Sequence, residues 1–389
     1  MLRIIANRMV LTKLFNDFFN SERASGVILV CCTLFSLIAT NVLPGYFEFW
    51  HIQIASHSIT DWINDGLMAI FFLLIGLELE REVYTGELST VKSALLPALA
   101  ALGGMLLPAS IYYFINNNGG DTRGTGIPMA TDIAFALGAL SLLGKRVPSS
   151  LKVFLTALAV IDDLGAILVI AIFYTNTLHW MNLGIAAGIF AALIVLNRLK
   201  VYTLWPYLAG GVAMWYFMLH SGVHATITGV LLAFAIPFGN GSQHSISYRL
   251  QHFLHKPVAF IILPVFALAN TSIPISHDFY YALGGTISLG IMAGLLVGKP
   301  LGIFAFTYAT VRLKIASLPA DIGWKHILGA GILGGIGFTM SIFISLLAFD
   351  SEPLIHQAKI AIMLISTISG IIGFIYLRTT LKEEASEQV

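Results

Sequence analysis

The chain has 389 residues, 57% of them hydrophobic and only 11% charged, with a mean hydropathy of +0.85 and a formal net charge of +1. Apolar runs of membrane-spanning length recur from end to end, which a soluble core of this size does not require, so a soluble globular enzyme is excluded. The charge is spread over many short loops, which also excludes a nucleic-acid partner, since that needs a concentrated basic face.

A spanning helix needs about 20 mostly apolar residues, and polar, Gly and Pro punctuation divides the sequence into twelve such segments. They fall at 26–42, 62–84, 94–115, 125–144, 149–174, 182–198, 202–219, 222–238, 250–271, 284–311, 326–349 and 357–378, and the integral membrane protein they imply has the lipid bilayer as its solvent. Ahead of segment 1, in an amino-terminal stretch at 1–25, lies the polar RMVLTKLFNDFFNSER. The apolar run after it has no small-residue cleavage site and reads as a retained helix rather than a signal peptide. Cys31 and Cys32 are neighbours in that run, so no disulfide framework follows. The loop at 43–61 contains YFEFWHIQIASHSI, which partly alternates in the manner of a strand pair. It is either a short hairpin able to pair with a second copy of the chain, giving a homodimer, or a plain surface loop.

Basic residues test the segment count independently. With the amino terminus inside, all but three of the 21 Lys and Arg side chains fall at inner ends. Arg123 and Lys359 go to outer loops, and Lys299 falls inside segment 10. This is the positive-inside pattern, with both termini cytoplasmic and a tail at 379–389.

Segment 2 carries Asp65 one turn from its outer end, where it either lines an ion path or sits at the interface, and Glu78, Glu80, Arg81 and Glu82 at its inner end, where solvation alone would also explain them. Segment 4 reads GTGIPMATDIAFALG, with Pro128 and two glycines before Thr131 and Asp132. Segment 5 carries Asp162 and Asp163 in LAVIDDLGAI. His224 opens segment 8, suited to titration or to headgroup anchoring. His252 and His255 begin segment 9, with no carboxylate or cysteine nearby to complete a metal site. Lys299 lies within segment 10, and segment 11 reads GAGILGGIGFTMS, with Gly329, Gly331, Gly334, Gly335 and Gly337.

Loops this short leave no room for a soluble catalytic domain, so function must come from polar groups within the segments. Asp162, Asp163 and Lys299 lie about 20 Å deep at roughly 1.5 Å per residue, near the midplane. A charge at that depth costs several kcal/mol, so it faces a watery cavity or a partner and marks an ion or proton path. Adjacent helical residues point about 100° apart, so the two aspartates divide their labour, one facing the path and one a neighbouring helix. Lys299 is the natural counter-charge for one of them. Segments 4 and 11 are the middle members of the triplets 3–5 and 10–12, which begin on opposite sides of the membrane. Their Gly and Pro breaks fit either an inverted repeat with interrupted helices or close helix packing by small residues. The Thr131–Asp132 pair favours the interruption, since unwound backbone and a hydroxyl serve a small cation while Asp132 offsets exposed helix N-termini.

In chain order, FFLLIGLELEREV, MATDIAFALG, LAVIDDLGAI, SGVHATITGV, VGKPLGI and GIGFTMSIFI resemble the NhaA family of bacterial sodium/proton antiporters, over residues 61 to 378. Inverted repeats are a general architecture for which this family is itself a standard example. The resemblance implies an all-α membrane protein of twelve helices, with helices 4 and 11 interrupted and crossing. It implies a bacterial inner-membrane transporter without a cofactor, not an enzyme, that exchanges cytoplasmic Na+ or Li+ for external H+, electrogenically and under pH control. By motif position, Asp163 resembles the principal cation and proton carboxylate. Asp162 resembles the partner that alternates between protonation and pairing with Lys299, and the two would hold Na+. Thr131 and Asp132 resemble the support at the crossing. Glu78, Arg81 and Glu82 resemble part of a pH-sensing mouth, to which His252 and His255 would belong. RLQHFLH departs from the family's RLEH pattern, with Gln251 in place of a glutamate.

Rival classes fit less well. An intramembrane aspartyl protease could set Asp132 against Asp163 but gives Lys299 no evident role. A cation channel prefers symmetric rings of acceptors, a symporter for an organic solute a larger aromatic cavity, and a primary pump a P-loop that is missing here.

Overall fold

The computed structural model describes residues 24–55, 57–174, 178–275 and 283–381. Arg3, Arg8, Lys13, Arg23 and Lys382, most of the 1–25 stretch and most of the tail lie outside the described residues.

Among the described residues, eight helices are long and apolar enough to cross a bilayer, and a bent pair makes a ninth. In chain order the elements are α1 (Ala24–Val42), α2 (Tyr46–Trp50), β1 (Gln53–Ile54), β2 (His57–Ser58), α3 (Ile59–Tyr84), α4 (Val91–Asn116) and a 3-10 turn (Thr122–Met129). Next come α5 (Ile133–Ser141), α6 (Ser149–Phe173), α7 (Trp180–Arg198), α8 (Trp205–Leu219) and α9 (Ile227–Ala235). The chain continues with α10 (Ile246–Asn270), α11 (Thr286–Arg312), α12 (Trp324–Gly334), α13 (Phe338–Ala348) and α14 (Glu352–Thr380). Most of the expected segments overlap one helix within a few residues. Segments 4, 8 and 11 are exceptions: segment 4 is a 3-10 turn followed by the nine-residue α5, segment 11 is divided between α12 and α13, and the helix of segment 8 covers only Ile227–Ala235, because turns around Gly222, at φ +86°, use up the residues ahead of it.

Two other expectations need correction. In the 46–59 loop, alternation mistakes the first half, since Tyr46–Trp50 is a helical turn; only Gln53–Ile54 and His57–Ser58 pair as antiparallel strands. Lys359, assigned to an outer loop, lies seven residues inside α14 and is buried, because α14 starts five residues earlier than segment 12. Its first turn, with Pro353 at a position where a missing N–H costs nothing, is polar enough to read as loop.

Among the described residues, three helices carry a wide π-type turn: Ile63–Leu67 in α3, Val258–Ile262 in α10 and Gly294–Gly298 in α11. In the last two a proline, Pro264 or Pro300, stands two residues past the turn. A proline inside a helix removes one backbone bond and crowds the carbonyl four residues back, and widening the preceding turn accommodates the ring. In α11 this turn delivers Lys299. The same helix packs backbone to backbone on α4: a Cβ on Gly103 would fall 2.5 Å from the Phe306 ring, and one on Gly302 would fall 2.7 Å from the Gly103 carbonyl carbon.

Burial is reversed relative to a soluble protein. Large apolar side chains such as Ile38, Trp180, Met181, Val212 and Ile375 point outward, while Thr131, Asp132, Asp162, Asp163, Lys299 and Lys359 are buried. Hydrocarbon tails solvate the first set as well as a protein core would, and only the interior can satisfy the second.

Candidate functional site

The chain unwinds at two places and the two breaks meet. Between the 3-10 turn and α5, Ala130 and Asp132 are extended; between α12 and α13, residues 335–337 are not helical, and the helices differ in direction by 47°. The Asp132 N–H donates to the Ile336 carbonyl at 2.7 Å. Ser341 Oγ donates to the Ile127 carbonyl at 2.8 Å, so both sides of the crossing are tied. Close packing explains the glycines here: a Cβ on Gly335 would sit 2.5 Å from the Leu295 carbonyl oxygen of α11.

Each break leaves helix ends whose backbone groups need partners. Asp132 serves two N-termini at once. Its Oδ1 accepts from the Phe135 N–H at 3.1 Å, capping α5, and its Oδ2 accepts from the Thr339 N–H at 3.0 Å and from the Thr339 hydroxyl, capping α13. A carboxylate at two positive helix ends is well placed electrostatically, and each of its oxygens already accepts from a helix end.

Lys299 answers from the opposite charge. Its ammonium donates to the Met129 carbonyl, at the end of the 3-10 turn, and lies 2.9 Å from Asp162 Oδ2. Asp162 Oδ2 is also 2.7 Å from Thr131 Oγ1, which is 3.0 Å from the Gly334 carbonyl at the end of α12. One hydroxyl proton therefore stands between two acceptors and can serve only one at a time. Asp162, Thr131 and Lys299 are all fully buried.

Asp163 stands apart. It is fully buried, and neither carboxylate oxygen has a hydrogen-bond partner; Asp162 Oδ1 is likewise unpartnered. Buried oxygens are nearly always satisfied, so three orphan acceptors on two neighbouring residues mark a candidate site for a group that supplies positive charge. The oxygens are hard donors, suited to an alkali cation or to protons. The roughly 100° step between neighbours thus separates a braced carboxylate from an open one.

Of the other expected residues, the structure brings some together. His255 Nδ1 lies 3.9 Å from Glu78 Oε1, and the Arg81 guanidinium sits 5.1 Å above the Tyr248 ring with one nitrogen 3.5 Å from Gln251 Oε1. His252 instead stacks on Tyr248, so the two histidines face different partners. Glu82 is half-buried near the inner end of α3. His224 Nε2 lies 2.8 Å from the Tyr174 carbonyl, to which it must donate. Asp65 is half-buried, and its carbonyl accepts from Trp215 Nε1 at 2.9 Å. Pro128 closes the 3-10 turn against Gly294 of α11.

The sequence reading missed several groups. Thr339 and Ser341, in GFTMS, were hidden among the glycines that drew attention to that segment. Glu80, grouped with interfacial charges, is buried beside Ser247. Lys359 donates to Asn270 Oδ1 at 3.3 Å, and Asn270 Nδ2 donates to Asn64 Oδ1 at 2.8 Å, a polar link between α14, α10 and α3. Arg123 grips Asp121 with two nitrogens and also reaches Asp350, joining the start of the 3-10 turn to the loop after α13. Hydrogen bonding to Arg123 holds the Asp121 carboxyl below the usual range.

Residues 16–377 match the family profile described as Na+/H+ antiporter 1. The chain is 61% identical over 381 residues to Na(+)/H(+) antiporter NhaA of Flavobacterium psychrophilum, covering 97% of this chain and 99% of that one. It is 61% identical over 372 residues to Na(+)/H(+) antiporter NhaA 1 of Flavobacterium johnsoniae, covering 95% and 98%. A relative of the same name from Dechloromonas aromatica is 57% identical over 373 residues, covering 94% and 96%.

Proposed function

The chain belongs to the Na+/H+ antiporter 1 family, and on that premise we propose that it exchanges cytoplasmic Na+ or Li+ for external H+ at Asp162 and Asp163. The observation that carries the reading is the fully buried Asp163 with both oxygens unpartnered, beside an Asp162 held by Lys299.

Na+ occupies the oxygens of Asp163 and the free Oδ1 of Asp162 while the Lys299 pair stays intact. Protons compete for the same oxygens, and protonation of both aspartates expels Na+ and releases Lys299 from Asp162. Two protons then stand against one sodium, so each cycle moves net charge and the membrane voltage drives Na+ outward. Thr131 follows the change, its single hydroxyl proton turning to the Gly334 carbonyl when Asp162 no longer accepts. Asp132 supplies charge and helix capping at the crossing, both oxygens being engaged by helix ends.

The chain lies in the bacterial inner membrane with both termini cytoplasmic, segments 3–5 and 10–12 of its twelve forming two inverted triplets around the crossed breaks. Helices α4 to α6 and α11 to α14 rock against the rest, exposing the aspartates to one side and then the other. Glu78, Arg81, Glu82, His252 and His255 form the inner mouth and set the response to pH; His224 and Asp65 belong to the outer side. The β1–β2 pair offers an edge for a second copy of the chain. Everted vesicles carrying the full chain test the central claim: Na+ or Li+ addition dissipates a proton gradient, and Asp163→Asn abolishes that response. Persistence of exchange in Asp163→Asn overturns it.

A further inference from the structure

The buried Lys359 has no part in the cycle above, and its setting differs from that of Lys299. Lys299 has a carboxylate and a carbonyl; Lys359 has one hydrogen bond, a long one of 3.3 Å, to the neutral amide of Asn270. Among the described residues no carboxylate lies within ion-pair distance of it. Asn270 is fully buried and is held by Asn64 and by the Phe266 carbonyl. Asn64 belongs to the wide turn of α3. The link therefore crosses from α14, in the second triplet, to α10 and α3, which lie in neither.

In the proposed orientation this crossing lies on the outer side. Lys359 is about 10 Å from the outer end of α14, and Asn270 is the outer end of α10. Just inward, Phe72 of α3 and Phe266 of α10 both pack on Phe343 of α13, with ring centres 5.4 and 6.4 Å apart, all three buried. Phe343 follows Thr339, which binds Asp132, by one helical turn. A dry layer and then a sequestered ammonium thus close the outer seam above the aspartates.

We infer that Lys359 is a spring for outward opening: the closed seam carries the cost of an ammonium held by one neutral amide, and opening the seam hydrates it. This rests on the alternating-access reading above. A buried charge without a counter-charge in contact destabilises the state that buries it; Glu352, at the exposed start of α14, offsets this only from a distance, so Lys359 works against the closed seam and keeps the two exposures close in energy. Lys359 is a positioning residue, since it touches neither cation nor proton site.

The test uses the full chain in proteoliposomes, with Na+ presented to the inner face. Lys359→Met lowers turnover by about tenfold, leaves the KM for inner Na+ no higher, and holds or raises the melting midpoint, because the apolar side chain suits the closed seam. Lys359→Arg restores turnover. Asn270→Asp places a counter-charge in contact with Lys359, fastens the closed seam and slows turnover in the same way. A lower melting midpoint or failure of Lys359→Met to fold overturns the inference, as does wild-type turnover in either Lys359→Met or Asn270→Asp. Exchange that survives Asp163→Asn strikes the aspartate site instead; loss of exchange there with a fully active Lys359→Met strikes only the spring.

Discussion

Lys299 Nζ lies 2.9 Å from Asp162 Oδ2, and neither side chain is reached by solvent. Separating them by mutation leaves a buried carboxylate with only the Thr131 hydroxyl on its side. Removing one partner of a buried pair typically costs about 3–5 kcal/mol, because the other charge remains uncompensated. Lys299→Ala should therefore lower the melting midpoint of the purified protein in detergent. A midpoint equal to the wild type would mean that the pair contributes nothing to the folded state.

Asp163 should behave in the opposite way. Its oxygens make no hydrogen bonds, so Asp163→Asn breaks none and keeps the shape; stability should change by no more than about 1 kcal/mol. Exchange, by contrast, should vanish, since an amide neither titrates nor neutralises a cation. Thermal melts beside vesicle assays separate the two effects, and a large loss of stability would show that Asp163 braces the fold.

The membrane class, most helices and the buried charges were legible because hydrocarbon imposes a strict rule on composition. The pairing of Lys299 with one aspartate was legible too, but the choice of Asp162 came from family resemblance, since the helical step says only that the two aspartates differ. The wide turns of α10 and α11 left a trace in Pro264 and Pro300. Lys359 was misplaced because hydropathy reads a polar first helical turn as loop, and its partner Asn270 lies 89 residues away in sequence, with Asn64, the partner of Asn270, a further 206. The double capping by Asp132 needs Thr339 from another helix, which no local spacing reveals.

Asp132 holds two helix N-termini together. Asp132→Ala removes both caps and leaves buried N–H groups of Phe135 and Thr339 unpaired, at about 1–3 kcal/mol for each unsatisfied group. Asp132→Asn keeps one acceptor oxygen, so it should recover part of that loss. Melting of the three proteins should rank wild type above Asn above Ala. If Ala and Asn melt together, the carboxylate is not capping both helices.

At the other end of the 3-10 turn, Asp121 is held below the normal carboxylate range by Arg123. A lowered folded-state value means the stabilisation is fully present above the unfolded value, about 3.9, and is lost as pH falls through the lowered one. The pair is partly exposed, which limits its contribution to about 1 kcal/mol. Wild type and Arg123→Gln should thus differ slightly in melting midpoint at neutral pH and converge at strongly acidic pH. A difference that persists or grows in acid would assign the contribution to Arg123 packing instead of to its charge.

The inner mouth carries the remaining prediction. Arg81 is fixed over the Tyr248 ring and touches Gln251 only at 3.5 Å, a distance too long for a strong hydrogen bond. Gln251→Glu places a carboxylate where the amide stands, close enough to pair with Arg81 and within the same cluster as Glu78, His252 and His255. The substitution adds a negative charge and a titratable group at a half-buried position, where screening by water is incomplete. More negative potential retains protons at the mouth to higher pH, so the activation profile should shift in the alkaline direction, with maximal turnover little changed. Dequenching by Na+ across a range of pH reads the shift directly. An unchanged profile would detach position 251 from the pH response, and an acid shift would show that pairing with Arg81 outweighs the added charge.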